Sequence, residues 1–370
     1  MRLEKVLKEM QKRQLTHLII NDPSSIDYLI NYKNNPGERM YLLLLSSDGH
    51  HKLFMNNLFY LDHELDIEQV WYSDTDNYLQ LLADEFDGAC SIGIDKNFPA
   101  RFLIPLMNLV DECHFELGSE CVDRVRMIKD EKEQQLMIEA SKINDLVVDE
   151  VINICAKGNL TEKEVSDQLA GIYQKHGCTG NSFEPIVAYG KNGADNHHSG
   201  DDSTLKPGDS IVIDIGGLYK GYCSDMTRTI FAGYIPVKIR EIYDLVLKNQ
   251  IQALKEMYDG ANAKIAARNV KNDFKLHNYD LVHSLGHGVG LDIHETPFIS
   301  DIRDWTLKEN MVVTDEPGIY LTGTYGVRIE DTVLITKSGC ITLTKSDKNY
   351  IIVDEQDITQ IKEIQQEENA

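Results

Sequence analysis

Residues 211–229 read IVIDIGGLYKGYCSDMTRT and set one aspartate on an apolar run and a second on the run that follows it. Asp214 lies on a β-type segment ending in Gly216-Gly217, a hairpin signal, so adjacent strands are expected to bring Asp214 and Asp225 side by side. Three further segments present single polar residues: HSLGHGVGLDIHE (283–295) carries His287, TDEPGIY (314–320) carries Glu316 and GVRIEDT (326–332) carries Glu330. Pro317-Gly318 halts a strand and holds Glu316 at its end. Glu330 is expected to share a strand face with Arg328, because side chains two apart on a strand point the same way.

Taken singly, each residue has an ordinary reading: Asp214 as a turn cap, His287 as a satisfied core histidine. Together, in the order Asp, Asp, His, Glu, Glu, they read as the ligand set of a two-metal hydrolase. Four converging carboxylates without cations repel and raise one another's pKa values, whereas two divalent ions neutralise all four. Oxygen ligands with one imidazole suit manganese, cobalt, zinc or iron better than a thiolate-seeking metal. Two other motifs fail on physical grounds. His283 and His287 are four apart, but Gly286, Gly288 and Gly290 make the required helix improbable, and Leu291 breaks a GxGxxG phosphate loop.

The five segments resemble those of the creatinase/prolidase/methionine aminopeptidase superfamily, the pita-bread metallopeptidases, and most of all its proline-specific peptidases. The resemblance implies two divalent metal ions per subunit, manganese foremost, with Asp214 chelating one, Asp225 and Glu330 bridging both, and His287 and Glu316 holding the other. It implies that His197, twelve residues before Asp209, contacts the substrate carbonyl or the tetrahedral intermediate, although Asn196 stands where the family often has proline. His198 beside it reads as a surface residue. By the same resemblance His294 polarises the scissile carbonyl and His283 lines the substrate pocket. Arg328 either anchors a substrate carboxylate or pairs with Glu330, and Tyr222 and Tyr320 donate hydrogen bonds to ligand carboxylates. Glu316 would take a proton from a water activated between the ions and pass it to the departing nitrogen. Asp315 is an unusual companion to it.

The implied activity is hydrolysis of the Xaa-Pro bond, foremost as an Xaa-Pro dipeptidase (prolidase), with an Xaa-Pro aminopeptidase acting on longer peptides as the alternative. A non-catalytic peptide-binding pita-bread module is the reading from a different class. The PGER segment (36–39) resembles one in prolidase-like N-terminal domains, and a turn with solvated charges explains it equally well. A homodimer formed through the N-terminal domain is a further implication of the resemblance.

The chain has 370 residues, 42% of them hydrophobic, enough for two cores. Its net charge of -23 argues against nucleic acid and anionic membrane surfaces as partners. Seven scattered cysteines without a Cys-x-x-Cys pair indicate neither a disulfide framework nor a thiolate zinc site and point to a reducing cytoplasm. Cys223, two before Asp225, reads as a small buried residue rather than a nucleophile. Leu3, Val6, Leu7 and Met10 mark the first seventeen residues as an amphipathic helix, not a signal peptide, and no stretch reaches the ~20 apolar residues needed to cross a bilayer.

The expected architecture is α/β (α+β). An N-terminal creatinase-like α/β domain spans 1–123, where HLIIND, MYLLLLSS, HKLFMN, VWYS and SIGIDK read as strands and no catalytic cluster occurs. A pita-bread domain spans 124–353, built as two halves of helix pair plus antiparallel strands. In the first half a helix runs to about Ala156, its buried stripe Leu136, Ile143, Leu146, Val147, Val151 and Ile154. Thr161 and Glu164 then form a capping box for a helix that Gly177 closes. In the second half helices are expected over 237–258 and 263–274. An acidic tail, 354–370, carries Ile358, Ile361 and Ile364 at near-helical spacing.

Overall fold

The structure is a computed structural model and describes residues 2–61 and 63–353; the acidic tail lies outside the described residues. The chain divides into two compact units, Met1–Arg126 and Met127–Ala370. A boundary at 123 would cut the last helix of the first unit, Glu120–Arg126.

The first unit runs α1 (Arg2–Lys12), β1 (His17–Ile20), α2 (Pro23–Ile30), β2 (Leu42–Ser46), β3 (Lys52–Asn56), β4 (Glu68–Tyr72), α3 (Tyr78–Ala83), β5 (Ser91–Ile94), α4 (Ala100–Leu109), β6 (His114–Leu117) and α5 (Glu120–Arg126). Its mixed sheet has the order β4-β3-β2-β1-β5-β6. The strand LLLLS of β2 is buried at every position. Leu42 and Leu44 share a cluster with Leu82, Phe102 and Leu106 of α3 and α4, and the pleat sends Leu43 and Leu45 to the opposite face. Asp22 caps α2 by accepting from Ser25 N, and the same oxygen takes Arg126 Nη1 at 2.9 Å. The PGER segment is a turn whose Arg39 forks onto Asp74 at 3.0 and 2.8 Å.

The second unit repeats one plan twice. In the first half, α6 (Glu131–Cys155) and α7 (Glu162–Lys175) precede β7 (Ile186–Tyr189), β8 (Ser210–Ile215), β9 (Leu218–Tyr219), β10 (Tyr222–Cys223) and β11 (Met226–Ala232). In the second half, α8 (Val237–Leu254) and α9 (Ala263–Leu276) precede β12 (Gly286–Gly288), β13 (Glu295–Ile299), β14 (Val312–Asp315), β15 (Gly318–Leu321), β16 (Tyr325–Arg328), β17 (Asp331–Thr336) and β18 (Gly339–Thr342). A last strand, β19 (Ile352–Val353), returns to pair parallel with β11. The sheets are β19-β11-β8-β7 and β13-β12-β14-β17-β18, with ribbons β9-β10 and β15-β16.

Local chemistry explains the helix starts: α6 and α7 both open on complete capping boxes, Asp130 with Glu133 and Thr161 with Glu164. Burial explains their packing. Val147, Val148 and Val151 of α6 meet Val165, Leu169 and Tyr173 of α7 over Ile211, Ile213 and Ile215 of β8. Ile242 and Val246 of α8 meet Ala267, Val270 and Phe274 of α9 over Val313 and Val333. Each such fully buried aliphatic or aromatic side chain contributes roughly 1.5–3 kcal/mol relative to exposure.

Three local expectations are corrected. Leu146 is 53% exposed, because the buried face of α6 runs through Met137, Ala140, Asn144, Val147, Val151 and Cys155. The helix α8 ends at Leu254 rather than Tyr258. Gly216-Gly217 is not the chain reversal between β8 and β11. That reversal falls at Lys220 and Gly221, both at positive φ (48° and 87°), across the β9-β10 ribbon. The two glycines instead permit close approach: a Cβ on Gly216 would lie 2.0 Å from Ser224 O, and one on Gly217 2.5 Å from the Tyr173 ring.

Candidate active site

Asp214, Asp225, His287, Glu316 and Glu330 all line one cavity of about 440 Å³ within the second unit, together with His197, His283, His294 and Arg328. Phe183, Ile186, Ile293 and Phe298 supply its apolar wall.

Each polar residue is delivered by a strand or a strand end. Asp214 on β8 lies opposite Thr227 on β11, and Asp225 immediately precedes β11. His287 is the middle residue of β12, and Glu316 follows β14, its N–H donating to Leu285 O at 2.8 Å. Glu330 sits between β16 and β17, its N–H donating to Thr227 O at 3.1 Å. One ligating atom each from Asp225, His287 and Glu330 lies within 4.8 Å of the others. His287 Nε2 is 3.3 Å from Glu316 Oε1 and 3.6 Å from Asp225 Oδ2.

His287 Nδ1 is 3.0 Å from Gly288 O, and a carbonyl can only accept, so the proton resides on Nδ1 and Nε2 turns a lone pair toward the carboxylates. Burial pushes the imidazole pKa down to about 3, so the ring is neutral near pH 7. A lone pair facing carboxylate oxygens is repulsive unless a cation, or a proton held on one of them, lies between. The carboxylates agree. Burial, then the neighbouring Glu330, Asp214 and Glu316, holds Asp225 well above the usual range, and burial, then Glu316 and Asp214, does the same to Glu330. Burial pushes Glu316 up to about 8. Asp214 Oδ1 and Glu330 Oε1 are buried with no hydrogen-bond partner among the described residues. A hard-oxygen and imidazole set with orphaned buried oxygens fits divalent metal ions.

Two threonines missed at the sequence level hold this cluster. Thr314 Oγ1 accepts from His287 N at 3.0 Å and donates to Glu316 Oε1 at 3.2 Å. Thr227 Oγ1 accepts from Arg328 Nε at 2.9 Å and donates to Glu330 Oε2 at 2.7 Å. Their signal was present in the strand period, since Thr227 stands two after Asp225 and Thr314 two before Glu316.

Several expected neighbours take other partners. Arg328 forms its ion pair with Asp214 Oδ2, and its hydrogen-bonded route to Glu330 runs through Thr227. Tyr320 serves an imidazole and not a carboxylate. Its hydroxyl accepts from Arg328 Nη1 at 2.7 Å and donates to His283 Nε2 at 3.0 Å, since His283 Nδ1–H is given to Ser284 O at 2.7 Å. Burial pushes His283 down to about 4. Tyr222 donates to Glu133 Oε1 at 2.9 Å, a carboxylate of the α6 capping box, so its proton is directed at a helix start. His294 stacks edge-on against His287 with centroids 4.4 Å apart. His198 is no surface residue: it is tied to the buried Glu162 at 2.6 Å. Cys223 is buried, as expected, and Asp315 is fully buried on the far side of its strand from Glu316.

The strand carrying His287 leaves no room for growth. A Cβ on Gly286 would lie 2.1 Å from Thr314 O. Gly286→Ala is therefore expected to cost about 1–3 kcal/mol, lowering Tm in a thermal melt and weakening metal retention on dialysis.

Residues 135–337 match the model of metallopeptidase family M24, and residues 2–128 match that of the creatinase/prolidase N-terminal domain. The chain is 33% identical to an Xaa-Pro dipeptidase of Pyrococcus horikoshii over 355 residues, 95% of this chain and 98% of the relative. A prolidase crystal structure from Thermococcus sibiricus superposes with a TM-score of 0.89 at 30% identity, covering 95% of this chain and 98% of the other. A dipeptidase of Mycobacterium ulcerans reaches the same TM-score at 28% identity, over 95% of this chain and 97% of the other. The fold and site define a metal-dependent peptidase. The chain belongs to metallopeptidase family M24, with a creatinase/prolidase N-terminal domain and a pita-bread domain.

Proposed function

We propose that the protein is a prolidase-type metallopeptidase that hydrolyses Xaa-Pro dipeptides. The observation that carries the reading is the buried cluster of four carboxylates and a neutral imidazole, two of its oxygens unpartnered, at the wall of a cavity that also holds four further histidines. The proline preference draws support from the similarity to the Pyrococcus horikoshii dipeptidase and the Thermococcus sibiricus prolidase.

In this reading Asp214, Asp225, His287, Glu316 and Glu330 hold two divalent ions, manganese foremost, which supply Lewis acidity and a water of lowered pKa. Glu316 manages the proton. Thr314 engages Oε1, which leaves Oε2 to take a proton from the attacking water and return it to the leaving nitrogen. A proline nitrogen carries no hydrogen and cannot pair as an ordinary backbone amide, so recognition falls to shape, here the wall of Phe183, Ile186, Ile293 and Phe298. His294, whose pKa burial pulls below the ordinary imidazole value, donates an N–H toward the scissile carbonyl oxygen, and His197 does so from the 189–203 loop. His283 has both ring nitrogens engaged and therefore acts as a fixed wall rather than a proton carrier. Arg328 orients Asp214. The reading extends to a homodimer, and to residence in the cytoplasm, where seven free cysteines stay reduced. It also assigns the substrate chemistry to the pita-bread domain.

The test pairs metal analysis after dialysis with ninhydrin assay of Ala-Pro and Ala-Pro-Ala. Proline released from Ala-Pro, with the tripeptide left intact, is the expected result. Release of Ala from the tripeptide selects an aminopeptidase instead. Bound metal without cleavage of either peptide selects a binding module.

A further inference from the structure

The loop that carries His197 is held by a buried carboxylate outside the metal cluster. Glu162 opens α7 and is fully buried. Its Oε1 accepts from Tyr189 N at 2.6 Å and Asn192 Nδ2 at 3.0 Å; its Oε2 accepts from His198 Nε2 at 2.6 Å and Asp201 N at 3.2 Å. The backbone adds two clamps, Glu162 N to Ser203 O at 3.2 Å and Lys163 N to Asp201 O at 3.1 Å. One side chain thus gathers both ends of residues 189–203 onto the start of a helix, where the helix dipole favours a negative charge.

Glu162, His198 and Asp201 are also close enough to hold a cation, but their chemistry differs from that of the catalytic cluster. Both Glu162 oxygens already accept from N–H groups, His198 turns a donor toward Glu162, and Asp201 accepts from Ser203 N at 2.7 Å. The cluster is satisfied without an ion. His197 is in the opposite condition. Its backbone N–H donates to Asp195 Oδ1 at 3.0 Å, but its ring makes no hydrogen bond among the described residues, and the residue is exposed where it lines the cavity. The loop backbone therefore sets the point from which that ring reaches, with no side-chain hydrogen bond to correct it.

We propose that Glu162 is a positioning residue, which, through His198, Asn192 and the 189–203 backbone, sets the place of His197 over the metal cavity. The proposal rests on the reading of His197 as a substrate-facing donor. It concerns the anchor of that donor, which touches no substrate itself.

The test is a mutant cycle on the full-length, metal-loaded protein with Ala-Pro, joined to hydrogen exchange on the metal-free protein. Glu162→Gln puts an NH2 against N–H donors and is expected to lower kcat/KM about a hundredfold, the loss typical of a ~1 Å misplacement, at unchanged metal content. In a His197→Ala background the same change is expected to cost less than about twofold, because the group it positions is gone. In metal-free Glu162→Gln the amides of residues 189–203 are expected to exchange about tenfold faster or more, with those of α6 unchanged. Equal losses in both backgrounds, loss of metal, or unchanged exchange would overturn the proposal. Should Glu162→Gln not fold, Asn192→Ala removes one arm of the anchor and is held to the same three readouts. If the unaltered protein cleaves no Xaa-Pro peptide, the substrate reading falls while the exchange measurement still decides whether Glu162 holds the loop.

Discussion

Asp225→Asn is expected to lower kcat/KM by about a thousandfold or more and, in the metal-free protein, to raise Tm. The two effects have opposite signs because one side chain serves two states. With ions bound, the carboxylate neutralises charge and an amide cannot replace it. Without ions, Asp225 is a buried carboxylate facing Glu330, Asp214 and Glu316, and the fold must either tolerate that repulsion or hold a proton on it. An amide of the same shape removes the choice. Relief of about 1 kcal/mol corresponds to a rise of about 2–4 °C for a unit of this size. The rise should be larger at pH 8 than at pH 5, since holding a proton against solvent costs more as pH increases. Differential scanning calorimetry in chelator, beside the Ala-Pro assay, measures both halves. A fall in the metal-free Tm would mean that the wild-type carboxylate is satisfied by protein groups, and the case for a cation in that cavity would lose its main support.

What could be read from the amino-acid order divides along the range of the interactions involved. Glu316 was legible because Pro317-Gly318 stops the strand beside it, and His287 because glycines on both sides exclude a helix; both signals lie within a few residues. The helix starts at Asp130 and Thr161 were local in the same sense, although only the second was recognised. The partners of those groups were not legible. Arg328 reaches back 114 positions to Asp214, Tyr222 89 positions to Glu133, and His198 36 positions to Glu162. Strand periodicity places a side chain on a face but does not say which element packs over that face. Leu146 shows the same limit from the other side: its spacing fitted a helical stripe, and only the neighbours of α6 decide that the stripe is rotated toward Asn144 and Val148. Gly216-Gly217 shows it again, because a glycine pair can mark a turn or a close approach, and Tyr173 and Ser224 make it the latter.

Removing the metal ions is expected to abolish hydrolysis and to make stability fall as pH rises from 6.5 to 8. Glu316 has an ordinary value of 4.5 and is pushed up to about 8 in the folded, metal-free chain, first by burial. A carboxyl raised in this way binds a proton more tightly folded than unfolded, so its contribution is fully present below 4.5 and is lost as pH climbs toward 8. The histidines act in the reverse direction. His287 and His283 are pushed from 6.5 down to about 3 and about 4, first by burial, so their contribution is present above 6.5 and lost as pH falls. Between 4.5 and 6.5 the two effects oppose each other. Above 6.5 these histidines are mostly neutral in the folded and the unfolded chain alike, and the carboxylates act alone, at about 1–2 kcal/mol over this window for each carboxyl that stays protonated. Asp225 and Glu330 are raised too and deepen the fall. Bound ions keep the ligand carboxylates deprotonated in the folded state, so the loaded protein should show a shallower fall over the same interval. Buried carboxyls elsewhere, such as Asp145 and Asp209, contribute equally with and without metal. The difference between the two melting curves therefore isolates the cluster. It should also appear as proton release on metal binding, measured by titration calorimetry in two buffers of different ionisation enthalpy. A metal-free Tm that rises between pH 6.5 and 8, or metal uptake without proton release, would show that these carboxylates ionise as ordinary surface groups do, and the electrostatic basis of the site would have to be abandoned.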